Sequence, residues 1–386
     1  MRGGQGRAYD QLVGEPYWLA DLPEPLRTPR LDGAVDVAVI GGGVTGLSCA
    51  LSLAERGRRV RVHEARTIAS GASGRNGGFA LRGAAMPYDE ARKTLGRDRA
   101  AALWRLTEQT LDRMEVLAGD ALRRVGSLRL AADEKEREEL VVEHEALRED
   151  GFASDWVETP SGRLSELYAG ALLHPRDGAM HPGRWIRRLA SRAAEAGAEL
   201  REHDRVSSLA EVDAETVVLA SDGYRMGLLP ELDAVVQPTR GQVVVTEPLA
   251  ERPYQRPHYA RNGFDYWQQL PDGRLVIGGR RDADLDSEWT AEEATTPQIQ
   301  AALEALIVEL VGYLPTITHR WSGIFGTSQD ELPLVGPVPG HARLWVSRGY
   351  SGHGNVLGLA CGELVAKAIL GRREPELDLL DPARLL

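Results

Sequence analysis

The sequence predicts an α/β protein, α+β taken as a whole, in which a Rossmann-like dinucleotide-binding domain is interrupted by a β-sheet-rich second domain. Three observations predict it. A strand runs into a glycine-rich turn and a helix over 35–57, and an acidic residue closes the strand that follows. Strand and helix signals return at 182–220 and again at 344–370. The longest strand signals and a hairpin lie between those returns. Nucleotide-binding elements on both sides of a β-rich stretch fit one domain split by another better than two domains in series.

The elements follow in order. Residues 1–32, rich in Pro, Gly and Arg, read as a leader packed on the surface with Tyr17 and Trp18 as anchors. Val35 to Ile40 is the first strand, and Gly41-Gly42-Gly43-Val44-Thr45-Gly46 follows it in a Gly-x-Gly-x-x-Gly pattern. Gly41 permits the tight turn, Gly43 lets backbone approach a pyrophosphate, and Gly46 lets the helix pack close to the sheet. The helix start offers unpaired N–H groups to phosphates. After a second strand, Glu64 stands 18 residues beyond Gly46, placed to accept hydrogen bonds from a ribose 2′-OH. Residues 67–90 are irregular and glycine-rich, and Leu103, Leu106, Leu111 and Leu117 give 89–121 a helical period. A short strand at 126–130 and a charged helix with a solvated face at 132–149 come next.

Pro182 and Gly197 punctuate a helix, and three short strand candidates follow, the last at 216–220. Residues 234–247 and 264–279 read as strands. The second region is a hairpin turned at Pro271-Asp272-Gly273. An amphipathic helix at 297–314, a strand at 344–347, a glycine-rich turn and a helix at 355–370 complete the chain. The domain boundaries expected are 1–94, 165–224 and 327–386 for the nucleotide-binding domain, with 95–164 and 225–326 for the other.

The net charge of −11 argues against nucleic-acid binding, which favours a basic face. No apolar run is long enough to span a bilayer and no secretory h-region is present, so a cytoplasmic protein is expected. Cys49 and Cys361 sit in apolar helical stretches and read as buried small hydrophobes; no metal-ligand spacing occurs. Lysine is confined to Lys93, Lys135 and Lys367.

Three further segments bear on chemistry. Ser70-Gly71-Ala72-Ser73-Gly74-Arg75-Asn76-Gly77-Gly78 suits either a flexible loop or a backbone-lined path beside a flat ligand, with Arg75 and Asn76 as donors. Gly349-Tyr350-Ser351-Gly352-His353-Gly354-Asn355 is a permissive turn opening a helix, either structural or a source of partial positive charge for a developing anion. His353 fits that role or that of a surface histidine. The strand end at Ser221-Asp222-Gly223 is a third place for closure over a cofactor.

These segments, with Trp321-Ser322-Gly323-Ile324-Phe325-Gly326-Thr327 and Asp330-Glu331-Leu332-Pro333, resemble the flavin-dependent D-amino-acid oxidase superfamily from about Tyr17 to Leu370. That superfamily includes glycine, sarcosine and gamma-glutamylputrescine oxidases, and the likeness is closest to the last. The resemblance implies FAD and a fold of the D-amino-acid oxidase/glutathione-reductase type. Its AMP half would lie along Gly41, Gly43, Gly46, Glu64 and Arg66, with the Val206 backbone near the adenine. The isoalloxazine would lie near Ser73, Arg75, Asn76, Gly77, Gly349, Gly352, His353 and Gly354. The implied reaction is amine oxidation: hydride to flavin N5, hydrolysis of the imine, and hydrogen peroxide from oxygen.

Three departures refine that likeness. Sarcosine oxidases tether flavin through a cysteine in the segment that reads Gly323-Ile324-Phe325 here, so non-covalent FAD is implied. Glycine and D-amino-acid oxidases place a carboxylate-binding arginine where Phe325 stands, which implies an amine without an obligatory α-carboxylate. Arg75, Arg280 or Arg281 could meet a carboxylate instead. The oxygen-activating lysine of sarcosine oxidases has no counterpart at Leu275-Val276-Ile277, leaving His353, Arg280 or an acceptor other than oxygen, such as a quinone or a partner protein. The expected pocket residues are Tyr266, Trp267, Phe325, Tyr350 and His353; for Tyr266 and Trp267 ordinary sheet packing is the competing reading. A D-amino-acid or glycine-type oxidase and a non-catalytic flavoprotein are the alternative functions.

Overall fold

Val35–Ile40 (β1) is apolar at nearly every position, the pattern of a strand covered on both faces. It lies inside a six-stranded sheet whose order is Leu334–Pro337, Leu344–Arg348, Ala214–Leu219, β1, Val60–His63 (β2) and Glu199–Arg201. Neighbours are parallel except Leu334–Pro337, an antiparallel edge strand. The computed structural model describes residues 14–20, 22, 26–372 and 374–386, so residues 1–13, 21 and 23–25 of the expected leader lie outside the described residues.

Helix α1 (Val44–Ala54) is buried at every residue, packed among the sheet, Pro182–Glu195 (α2) and Val356–Ile369 (α3). Cys49 in α1 and Cys361 in α3 are unpaired and fully buried. Burial pushes the Cys49 thiol up to about 12. The helical period expected over 89–121 is two helices, Tyr88–Leu95 and Arg97–Ala118, divided at Gly96 with φ +85°. The longer one buries Leu103, Trp104, Leu111 and Met114 in the same core as Trp185 and Leu189. Residues 97–118 therefore pack with the nucleotide-binding layer, although they follow the expected boundary at 94/95. Ala171–His174, on the other side of the expected 164/165 boundary, pairs with Ser127–Leu130 in the second sheet.

That second sheet has eight strands, ordered Ile317–Ser328, Val236–Pro248, Arg274–Gly279, Asp265–Gln269, His258–Ala260, Ser127–Leu130, Ala171–His174 and Asp155–Val157. Its neighbours are antiparallel except His258–Ala260 with Ser127–Leu130. Strand alternation splits its side chains between two faces. One face packs Val244, Trp267, Leu275 and Ile277 on the helix Pro297–Val311. The other carries Val243, Val245, Val276 and Trp321, which cluster with Trp18. Trp18 is thus the anchor expected of the leader. A small three-stranded sheet of Phe79–Ala80, Gly178–Met180 and Leu122–Arg123 accompanies the two larger ones.

Candidate active site

The dinucleotide end is built by the β1–α1 turn. Gly41 has φ +116°, and a Cβ there would stand 2.5 Å from the Ala220 carbonyl oxygen; a Cβ on Gly46 would stand 2.0 Å from the Gly41 oxygen. Both positions require glycine. Gly43, the N-cap residue, has no side chain to cap α1, and Ser73 Oγ accepts from the Val44 N–H at 3.0 Å. Glu64, just past β2, accepts from the N–H of Gly42 at 2.9 Å and of Arg66 at 2.8 Å. Val206 is buried beyond the 203–204 segment, whose N–H groups bond the carbonyls of Arg66 and Glu64. Arg66 forms a two-pronged pair with Glu293 at 2.7 and 3.1 Å and lies over the Tyr224 ring, whose hydroxyl donates to the same carboxylate.

The 70–78 segment is an ordered path held by its own backbone carbonyls. Trp18 Nε1 donates to the Asn76 oxygen at 2.8 Å, Trp321 Nε1 to the Arg75 oxygen at 2.7 Å, and Gln268 Nε2 to the Gly77 oxygen at 2.7 Å. Asn76 and Asn355 bond each other through their amides at 3.1 Å, which ties this loop to the 349–355 turn. Asp222, half-buried, accepts from the N–H of Gly349 at 2.9 Å and of Gly326 at 3.0 Å. Burial raises its pKa, against those backbone bonds. The strand end at 221–223 thus joins the strand Ile317–Ser328 at Gly326 to the glycine turn at 349.

Where loop and sheet meet, aromatic side chains gather. A Cβ on Gly77 would stand 2.8 Å from Tyr266 Cε2, and Phe79 meets the Tyr266 ring edge-on at 5.8 Å. A Cβ on Gly241 would be 3.6 Å from Phe325 and 3.8 Å from the Tyr266 hydroxyl, so these two side chains converge over that glycine. The Phe325 ring also faces Gly352 of the helix-opening turn. Arg281 stands over Phe264 at 5.0 Å and over Phe325 at 5.8 Å. Burial raises Tyr266 to about 12, with Arg281 opposing.

Of the other expected pocket residues, Trp267 and Tyr350 lie elsewhere. Trp267 is on the opposite sheet face, fully buried and stacked on His258 at 5.2 Å. Tyr350 turns inward and bonds Ser347 at 2.8 Å and Thr45 at 3.0 Å, tying the 349–354 turn to α1. His353 stays beside the pocket turn; its Nδ1 is buried without a hydrogen-bond partner, and burial lowers its pKa to about 4. All three lysines form ion pairs away from this pocket, Lys93 with Asp89, Lys135 with Glu139 and Lys367 with Glu374. Arg75 is spent on the carbonyls of Ser70 and Ser322, and Arg280 on Asp265 and Glu309.

Sequence reasoning missed Glu293, Tyr224, Gln268 and Phe79. Each reaches the site from a distant segment, and no local spacing signals that. The unpartnered Nδ1 of His353 at one end, the glycine-rich start of α1 at the other and Glu64 beside Gly42 fit an extended dinucleotide with a flat polar ring at its far end.

A dinucleotide fold whose glycine path meets an aromatic pocket of a second sheet defines a flavin-dependent oxidoreductase. The chain belongs to the FAD dependent oxidoreductase family (DAO), which matches residues 36–368. It is 31% identical to the probable oxidoreductase OrdL of Rhizobium meliloti (strain 1021), over 96% of this chain and 92% of that protein. It is 30% identical to the gamma-glutamylputrescine oxidoreductase of Escherichia coli (strain K12), over 88% of this chain and 84% of that one. The crystal structure of glycine oxidase from Geobacillus kaustophilus superposes with a TM-score of 0.73 and 26% identity, covering 89% of this chain and 96% of that one. The protein is an FAD-dependent oxidoreductase, and no helix among its described residues is long and apolar enough to cross a membrane.

Proposed function

We propose that the protein oxidises the C–N bond of a primary or secondary amine, passing the electrons to oxygen, with FAD held non-covalently. The observation that carries this reading is the convergence of Tyr266, Phe325 and Phe79 on one sheet face, against the Gly77 backbone and the Gly352 turn. Relatives named for glycine and for gamma-glutamylputrescine point to the same substrate class. Bound FAD supplies a two-electron acceptor, which the polypeptide lacks. Loss of two electrons and two protons, one from the carbon and one from the nitrogen, turns the C–N bond into the C=N of an imine, which water converts to a carbonyl compound and a released amine or ammonia. Oxygen then takes the two electrons and two protons as hydrogen peroxide.

The residues around the pocket select and orient rather than exchange protons. Tyr266, raised to about 12, keeps its proton at neutral pH, and His353, lowered to about 4, stays neutral. Neither of these two groups accepts a proton from an ammonium substrate, and the Arg281 cation disfavours one, so the neutral amine binds. Both cysteines lie inside α1 and α3 rather than near Phe325, which supports a flavin without a thioether tether. Free buried thiols suit a reducing compartment such as the cytoplasm.

The test is anaerobic reduction of the bound flavin by a panel of amines and amino acids, followed by peroxide measurement in air. Reduction with stoichiometric peroxide supports the reading; a flavin that no amine bleaches overturns it. The surface location of every lysine favours a second reading, a dehydrogenase with another acceptor. Fast reduction with negligible peroxide would select it.

A further inference from the structure

Resting on that amine-oxidising reading, we propose that Arg281 binds a carboxylate on the substrate, making this an oxidase of carboxylate-bearing amines although Phe325 provides no such contact. Arg281 is half-buried, and its side chain makes no hydrogen bond or ion pair among the described residues. Its positive charge is held only by the faces of Phe264 and Phe325 and by longer-range fields. Every other arginine around the pocket is taken: Arg75 by two carbonyls and Glu293, Arg66 by Glu293, Arg280 by Asp265 and Glu309.

The acids nearest Arg281 do not claim it. Glu288 is engaged through Oε1 by Arg240 and Gln242 while its Oε2 has no hydrogen-bond partner, Asp282 is engaged by Arg261, and neither Glu288 nor Glu331 comes within ion-pair distance of Arg281. A planar guanidinium stacked between aromatic faces, with its N–H edge unused, is suited to a two-point grip on a carboxylate. The site it serves is the amine pocket: Phe325 is under its ring-facing side, and Tyr266 couples to its charge. The Tyr266 hydroxyl, also without a hydrogen-bond partner among the described residues, is a second donor for the same anion. Arg280 has φ +54°, a left-handed turn that sends it to Asp265 while its neighbour Arg281 faces Phe325. The two adjacent arginines thus divide the work of binding the fold and binding the ligand.

The test uses the FAD-loaded enzyme and two readouts. Acetate and benzoate, which carry a carboxylate and no amine, are titrated against the visible absorbance of the flavin. Anaerobic reduction rates are compared for proline and pyrrolidine, alanine and ethylamine, and γ-aminobutyrate and butylamine. Wild type, Arg281→Lys and Arg281→Met are measured at matched FAD content; if Arg281→Met loses FAD, Arg281→Gln replaces it. The expected result is a carboxylate response that weakens about tenfold or more in Arg281→Met and is partly restored in Arg281→Lys. The carboxylated member of at least one pair is expected to react faster, and Arg281→Met to erase that advantage. Undiminished carboxylate binding in Arg281→Met overturns the assignment. So does a wild type indifferent to carboxylates whose flavin the simple amines reduce equally fast. An Arg281-dependent carboxylate response with no reduction by any compound would sink the amine-oxidation reading and leave the anion site standing.

Discussion

Glu64 has both carboxylate oxygens engaged, one by the Gly42 N–H and one by the Arg66 N–H, with lone pairs left for a ribose. Its removal loses the turn's support and the ligand contact together. Glu64→Ala is expected to weaken FAD binding about tenfold or more, since charge-assisted hydrogen bonds are worth about 1.5–3 kcal/mol. Titration of deflavinated protein measures this; an unchanged dissociation constant removes Glu64 from the site. Tyr266 and Trp267 show what one strand position decides. They are sequence neighbours, yet Tyr266 faces the glycine path and Trp267 faces the helix Pro297–Val311. Trp267→Leu is therefore expected to cost about 2–4 kcal/mol of stability with flavin reduction per folded molecule unchanged. Tyr266→Phe should leave stability nearly intact and change substrate affinity. Denaturant melts and single-turnover reduction on both variants check the pair, and the reverse pattern would exchange their roles.

At the scale of elements, the β1–α1–β2 unit was legible because its meaning is local: turn glycines, helix start and terminal acid stand at fixed spacing within 30 or so residues. The hairpin of Asp265–Gln269 and Arg274–Gly279 was legible for the same reason. Strand alternation showed that Tyr266 and Trp267 must point apart, but which face meets the 70–78 loop depends on how two sheets dock, and no local pattern encodes that. The partner of Arg66 lay 227 residues away in Glu293. That acid belongs to the segment before the helix Pro297–Val311 and joins Arg66, Arg75 and Tyr224 of the nucleotide-binding layer. Burial opposes its ionisation, but the bonds from Arg66 and Tyr224 outweigh burial and hold its pKa below the usual carboxylate range. Glu293→Gln leaves two arginines short of an anion beside the dinucleotide path. It is expected to lower stability by about 1–3 kcal/mol in FAD-free protein and by less once FAD is bound. An equal loss in both forms would show that the cluster has no connection to the cofactor.

Over the whole molecule, buried bases set how stability responds to acid. Burial pushes His258 down to about 3 where it stacks on Trp267, and holds His174 well below its ordinary value, with the Arg82 cation acting in the same direction. An unfolded chain takes up these protons near the ordinary histidine value of 6.5. The folded chain resists until far lower, so it loses stability relative to the unfolded chain as pH falls below 6.5. Asp177 acts the other way. Burial raises its carboxyl to about 6, so its contribution falls as pH rises from the ordinary 3.8 towards 6. His353, lowered to about 4 by burial, acts with these two histidines, and Asp222, raised by burial, acts with Asp177, so three histidines oppose two aspartates and the net expectation is lower stability at pH 5 than at pH 7. His258→Phe keeps a ring against Trp267 and removes one titration at the loss of the imidazole's bond to the Arg256 backbone, while Nδ1 has no hydrogen-bond partner among the described residues. The variant's Tm should therefore fall less than that of wild type between pH 7 and pH 5, by about 3 °C or more. Parallel Tm curves for the two proteins would mean that His258 already carries its proton inside the fold, and would place the acid response in other groups.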